Sequence, residues 1–182
     1  MVALRDGAAR HRRERRSRRI DEGDPLMNAT ATYSIGPGEP RDAEALVPLV
    51  DAYRVFYGET SDLAATAAYV SERFAAADTR FFVARDASGE LLGFAQVLFS
   101  LVTVSLARIG ILEDLYVVEA ARGRGVGGAL LDYAAGFARQ NGLARLTLST
   151  AHQNRVAQRL YLAHGYVPDQ RFRSFTLELA PP

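Results

Sequence analysis

The chain carries Arg122-Gly123-Arg124-Gly125-Val126-Gly127-Gly128, four glycines within seven residues, interleaved with two arginines. Ahead of it, Ile111, Leu112, Leu115, Val117 and Val118 are the apolar, partly β-branched residues of a buried strand. Behind it, Ala129, Leu130, Tyr133, Ala134 and Phe137 recur at helical spacing. A glycine turn that opens a helix after a strand is suited to holding an anion. The first N–H groups of the helix have no intrahelical partner, and the helix dipole favours negative charge there. Missing side chains let a phosphate come close to the backbone.

Spacing separates the phosphate chemistries. Gly123, Gly125 and Gly128 satisfy the dinucleotide fingerprint G-x-G-x-x-G. That fold needs an acid about twenty residues further on to hold the ribose, and none occurs between Asp132 and Asp169. A phosphate loop of the Walker type needs a lysine, and the chain has none. The other spacing, Arg122-x-x-Gly125-x-Gly127, resembles the pyrophosphate loop of the GNAT superfamily of acyl-CoA-dependent N-acetyltransferases. A second element, Asn154-x-x-Ala157-x-x-Leu160-Tyr161-x-x-x-Gly165-Tyr166, is similar to the GNAT motif that follows the fifth strand, and stands in the order that fold requires. The similarity spans residues 31–180. Within the superfamily, Tyr53-Arg54-x-Phe56-Tyr57, Leu112-Glu113-Asp114-Leu115-Tyr116-Val117 and the closing RFRSFTLEL look like the histone- and polyamine-acetyltransferase group. The Leu-Glu-Asp element is similar to that of the spermidine/spermine enzymes.

The resemblance implies acetyl-CoA as cosubstrate, no metal, and transfer of an acetyl group to a primary amine, with a small polyamine-like or amino-acid-like acceptor. A protein lysine or N-terminus is the alternative acceptor, and an acyl-CoA-binding module without turnover is the alternative outside catalysis. The Arg122–Gly128 loop, including Arg124 and Val126, is expected to hold the pyrophosphate. The resemblance places the pantetheine arm along the backbone of Leu115, Tyr116 and Val117, with the Asn154 side chain also in contact. Tyr161 matches the position of the family's general acid, since a phenol can donate a proton to a leaving thiolate. Glu113 is the candidate base, a strand carboxylate whose burial favours the proton-accepting range near neutrality. Strict alternation sends Asp114 to the opposite face, unless a bulge intervenes. Tyr53, Phe56 and Tyr57 share one helix face and are candidate walls of the acceptor site.

The elements that must position these residues follow from periodicity and turn chemistry. Strands are expected at 32–35, 80–85, 91–104, 106–118, 145–149, and in a closing pair at 166–168 and 172–179. Helices are expected at 42–57, from Asp62 to about Phe74, at about 126–140, and at 154–164. That order predicts an α/β domain of the GNAT type, with a mixed central sheet of about seven strands and about four helices.

Composition bounds the rest. The 182 residues suit a single domain, 27–182, behind an Arg-rich tail, 1–26, expected to be disordered; Met27 is an alternative start. The tail holds eight arginines against five acids, leaving 14 arginines against 16 acids, a mildly acidic remainder that suits a cationic acceptor rather than nucleic acid. No cysteine is present, which excludes disulfides, thiolate metal sites and a cysteine nucleophile. Three scattered histidines do not make a metal cluster. No run of 18 apolar residues or signal-peptide core appears, so a cytoplasmic protein without membrane contact is expected. The resemblance also implies a homodimer.

Overall fold

The computed structural model describes residues 26–27 and 32–179. The helical periodicity behind Asp42 becomes α1 (Ala43–Phe56), and that behind Asp62 becomes α2 (Leu63–Ala76). Asp62 caps α2, its carboxylate accepting from the Ala65 N–H at 2.9 Å. The two helices are tied by Asp51 of α1, buried, which accepts from the Ser61 hydroxyl at 2.6 Å and the Asp62 N–H at 2.8 Å. The glycine loop opens α3 (Val126–Gln140), and Asn154 opens α4 (Arg155–Ala163).

Among the described residues the strands are β1 (Leu26–Met27), β2 (Tyr33–Pro37), β3 (Thr79–Asp86), β4 (Leu91–Val102), β5 (Ala107–Val117) and β6 (Leu146–Thr147). They form one sheet in chain order, antiparallel from β1 to β5 and parallel between β5 and β6. Phe81 and Val83 point to α1 and α2, where Leu46, Val50, Val70 and Phe94 complete a core. Phe82 and Ala84 point to the other face, which α3 covers with Leu130, Leu131, Tyr133 and Phe137. This is the mixed α/β architecture expected, with helices on both faces of the sheet.

Among the described residues the sheet has six strands, slightly fewer than the about seven expected and consistent with the same fold. The expected closing pair is not formed, because 166–168 and 172–179 run without ladder partners. The physical reason is the shortness of β6, which offers only Leu146 and Thr147 in place of the expected five residues and leaves little edge to build on. The expected tail, residues 1–26, lies outside the described residues apart from Leu26, which pairs with Ile35.

Two irregularities position the site. Between Gln96/Val97 of β4 and Leu112/Asp114 of β5 the register shifts, leaving Glu113 without a cross-strand partner. In addition, β6 accompanies β5 only at Gly110 and Ile111, so β5 runs on to Val117 with that edge uncovered.

Candidate active site

The bulge decides which carboxylate is drawn onto the α1/α2 face of the sheet. With Glu113 as the extra residue, Leu112 and Leu115 both fall on the α3 face, whereas Asp114 pairs with Gln96 and Tyr116 with Phe94 on the α1/α2 face. Apolar residues at 112, 115 and 117 break the period of two in the sequence, which signals an extra residue in the strand without locating it. Glu113 is exposed. Asp114 is partly buried, and burial followed by the neighbouring Glu113 charge pushes its carboxyl up to about 6, against the opposing hydrogen bond from the Tyr53 hydroxyl.

Aromatic rings from both layers surround this carboxyl. Tyr53 of α1 packs edge-on against Tyr57 at 5.1 Å, Phe94 at 6.2 Å and Tyr116 at 6.3 Å between centroids. Its hydroxyl lies 3.5 Å from the Glu113 carbonyl oxygen, and burial with the adjacent Asp114 charge raises its pKa well above that of a free phenol. Tyr69 of α2 reaches the buried Gln96 amide, donated from Nε2 at 3.2 Å. Of the three expected wall residues, the structure brings Tyr53 and Tyr57 to Asp114 or Tyr161, while Phe56 packs on Tyr57 at 5.2 Å and is mostly exposed. Tyr69, Gln96 and Asp114 are the members of this cluster that residue spacing alone missed.

Tyr161 enters from α4. Burial first, then the Tyr57 and Tyr166 hydroxyls, push its pKa up to about 12, so it is a protonated donor at neutral pH. Asn154 N-caps α4, its Oδ1 accepting from the Ala157 N–H at 3.2 Å, which leaves its amide donors for a ligand.

The glycine loop is shaped for an anion. Gly125 is the N-cap of α3, in the left-handed region at φ 84°, and no side chain caps the helix. The first intrahelical bond runs from the Ala129 N–H to the Gly125 carbonyl at 3.0 Å; the N–H groups of Val126, Gly127 and Gly128 find no acceptor among the described residues. Gly123, also left-handed at φ 73°, has open space where a Cβ would stand. Arg122 donates from Nε to the Val117 carbonyl at 3.0 Å, with its guanidinium 5.8 Å from the Tyr116 ring centroid, and Arg124 donates to the Thr32 hydroxyl at 2.6 Å. They brace the loop against strand and N-terminal segment.

A family model described as Acetyltransferase (GNAT) family matches residues 46–166. The chain belongs to the GNAT family of acetyltransferases. It is 40% identical over 146 residues to the Uncharacterized N-acetyltransferase YhfO of Bacillus subtilis (strain 168), covering 80% of this chain and 97% of the relative. It is also 34% identical over 83 residues to the D-amino-acid N-acetyltransferase HPA3 of Saccharomyces cerevisiae, covering 46% of this chain and 52% of that protein. A crystal structure of a probable acetyltransferase superposes with a TM-score of 0.77 at 33% identity, covering 81% of this chain and 99% of that one. GNAT proteins generally use acetyl-CoA, and the residues here fit it: the loop with three free N–H groups suits the pyrophosphate, and the uncovered edge of Leu115, Tyr116 and Val117 suits the pantetheine amides. Among the described residues no group of three His, Cys, Asp or Glu is placed to hold a metal ion, and no helix is long and apolar enough to cross a membrane.

Proposed function

We propose that this GNAT acetyltransferase acylates the primary amine of a small cationic acceptor, polyamine-like or amino-acid-like, with Asp114 as proton acceptor and Tyr161 as proton donor. The observation that carries this reading is the bulge: it sets a half-buried carboxyl among Tyr53, Gln96 and Tyr116, on the strand whose other edge is uncovered. A site walled by tyrosines with a carboxylate at its base suits an alkylammonium, and the exposed Glu113 beside it adds attraction at the entrance. The partial match to a D-amino-acid acetyltransferase favours a small acceptor over a protein surface.

Bound acetyl-CoA supplies an acyl carbon activated as a thioester. Asp114, titrating near pH 6, accepts the proton that an ammonium must lose before its nitrogen attacks. The C–N bond forms as the C–S bond breaks; Tyr161 gives its proton to the departing sulfur, and the second proton of the nitrogen passes to the phenolate and restores Tyr161. N–H groups on the free edge of β5 can donate to the thioester oxygen as it gains charge. From sequence the base falls at Glu113, on the expectation that a strand carboxylate is desolvated; it moves here to Asp114, supported by the greater burial of that carboxyl.

The test is an acceptor screen read by free thiol release from acetyl-CoA, across diamines and polyamines, amino acids of both hands, aminoglycosides and basic peptides. Turnover with small amines is expected. Turnover confined to peptides would replace the small acceptor by a protein one, and tight acetyl-CoA binding with no turnover on any amine would leave a binding module.

A further inference from the structure

Helix α4, which carries Tyr161, is lightly held. It has no buried residue, and the side-chain hydrogen bonds of Asn154, Arg155 and Gln158 all stay within residues 151–158. Among the described residues a single side-chain hydrogen bond ties it to another element. His164, the C-cap of α4, meets Asp132 of α3, with Nδ1 2.8 Å from Oδ1. A carboxylate oxygen only accepts, so Nδ1 carries the proton.

The seat for this contact lies in the first turn of α3. Gly128 and Asp132 stand one turn apart on the same face of that helix. A Cβ at Gly128 would fall 2.7 Å from His164 Nε2 and 3.0 Å from Cε1, so the imidazole fills the volume that any larger residue would need. One residue earlier, a Cβ at Gly127 would meet Leu160 Cδ2 of α4 at 3.3 Å. Two successive glycines thus let α4 lie directly on the turn that ends the anion loop. His164 also reaches Tyr161 through the main chain, because the Tyr161 carbonyl accepts from the His164 N–H at 3.1 Å and from the Tyr166 N–H at 3.0 Å.

We propose that His164 is a positioning residue: seated on Gly128 and bonded to Asp132, it fixes the turn of α4 that carries Tyr161, and so holds the phenol where the sulfur departs. This role rests on the reading of Tyr161 as proton donor. The Asp132 side chain is 66% exposed and that of His164 23%, and a pair so open to water adds little to stability. Its value is geometric, since a displacement of about 1 Å can cost about 10²-fold in rate.

The test follows thiol release from acetyl-CoA with putrescine, spermidine, and D- and L-lysine as acceptors, and compares variants on the fastest of them. His164→Ala is expected to lower kcat by about 10- to 10²-fold, while calorimetric affinity for acetyl-CoA and the melting midpoint are retained. H164N should recover most of the rate, because its amide can donate to Asp132 in place of Nδ1. G128A should slow turnover as H164A does, although alanine ordinarily favours a helix, because its Cβ evicts the ring. With the seat emptied, G128A/H164A should be no slower than H164A. Y161F should be slowed no further by H164A, since the histidine acts through the phenol. A wild-type kcat in H164A would overturn the proposal. So would losses from H164A and Y161F that multiply, a fall in acetyl-CoA affinity that accounts for the lost rate, or a G128A/H164A chain slower than H164A. Full rate in Y161F, or no turnover with any of these amines, would overturn the reading of the site and the positioning role with it. A slow Y161F beside a fast H164A would remove the positioning role alone.

Discussion

Asp114→Asn separates the proton-accepting role proposed for this carboxyl from its cost to the fold, since burial is the origin of both. Burial and the Glu113 charge raise its pKa from 3.8 to about 6. At about 1.4 kcal/mol per unit, that rise corresponds to about 3 kcal/mol, and residual solvent contact reduces it to about 1–3 kcal/mol. Because the folded pKa lies above the unfolded one, the folded state holds the proton more tightly. This contribution to stability is fully present below about pH 3.8, is lost as pH rises through about 6, and is absent at neutrality. An amide never carries the charge. D114N is therefore expected to melt above wild type at pH 7.5, by about 2–10 °C for a chain of this size, with the difference closing near pH 4. Its turnover is expected to fall by about 10²- to 10⁴-fold, and the acidic limb of the wild-type rate profile, near pH 6, should disappear. Scanning calorimetry at the two pH values and thiol-release kinetics between pH 5 and 9 measure both. A variant that keeps the wild-type rate and acidic limb would refute Asp114 as base. One that melts lower at pH 7.5 would show that the Tyr53 hydrogen bond to the carboxylate outweighs its desolvation.

Further outcomes follow from other parts of the site. Glu113→Gln is expected to retain activity and move the acidic limb to lower pH, since it removes the charge that helps raise Asp114; loss of the limb itself in that variant would return the base to Glu113. Tyr161→Phe should lower kcat while the calorimetric affinity for acetyl-CoA stays unchanged, because donation to sulfur matters only as the bond breaks; an unchanged kcat, with chemistry shown to be rate-limiting, would make the tyrosine a packing residue. Gly125→Glu puts a carboxylate on a left-handed residue at the mouth of the anion site, so acetyl-CoA binding should be lost while the circular-dichroism spectrum is kept. Gly93→Ala would set a Cβ 2.5 Å from the Tyr116 carbonyl oxygen and 3.2 Å from the Val117 Cα. Both obstacles are backbone, so β4 and β5 must part, and stability in urea should fall by about 1–3 kcal/mol; an unaltered midpoint would show that the strands yield without cost.

Much of the frame was legible because its punctuation is local. The ends of α3 follow from glycines at its start and Asn141-Gly142 at its close, and those of α2 from the Asp62 cap, all contained within a few residues. The geometry of the glycine loop was legible for the same reason, since its left-handed glycines and uncapped helix start follow from spacing and the absence of side chains. The role of Asp114 was not, because alternation within one strand cannot say where an extra residue is accommodated; that depends on the Gln96/Val97 register of the neighbouring strand. The contribution of Tyr69 and Gln96 arises from a contact between α2 and β4 that is distant in sequence. The closing segment shows the converse limit: the alternation at 173–179 is plain, but a strand pattern does not name its partner.

Consider a chain one residue shorter, with Glu113 removed. Leu112 would still oppose Val97, Asp114 would still oppose Gln96, and Leu115 would still oppose Ala95. Each side chain would keep its side of the sheet, so the hydrophobic pattern places no demand on the deleted position. An insertion that leaves folding specificity untouched is free to serve chemistry alone. What it changes is the local path of the main chain, where one peptide unit is released from the ladder beside Asp114. Two chains of this type that differ in length by a single residue at this position would therefore look alike in core composition, and diverge in the geometry presented to an incoming amine.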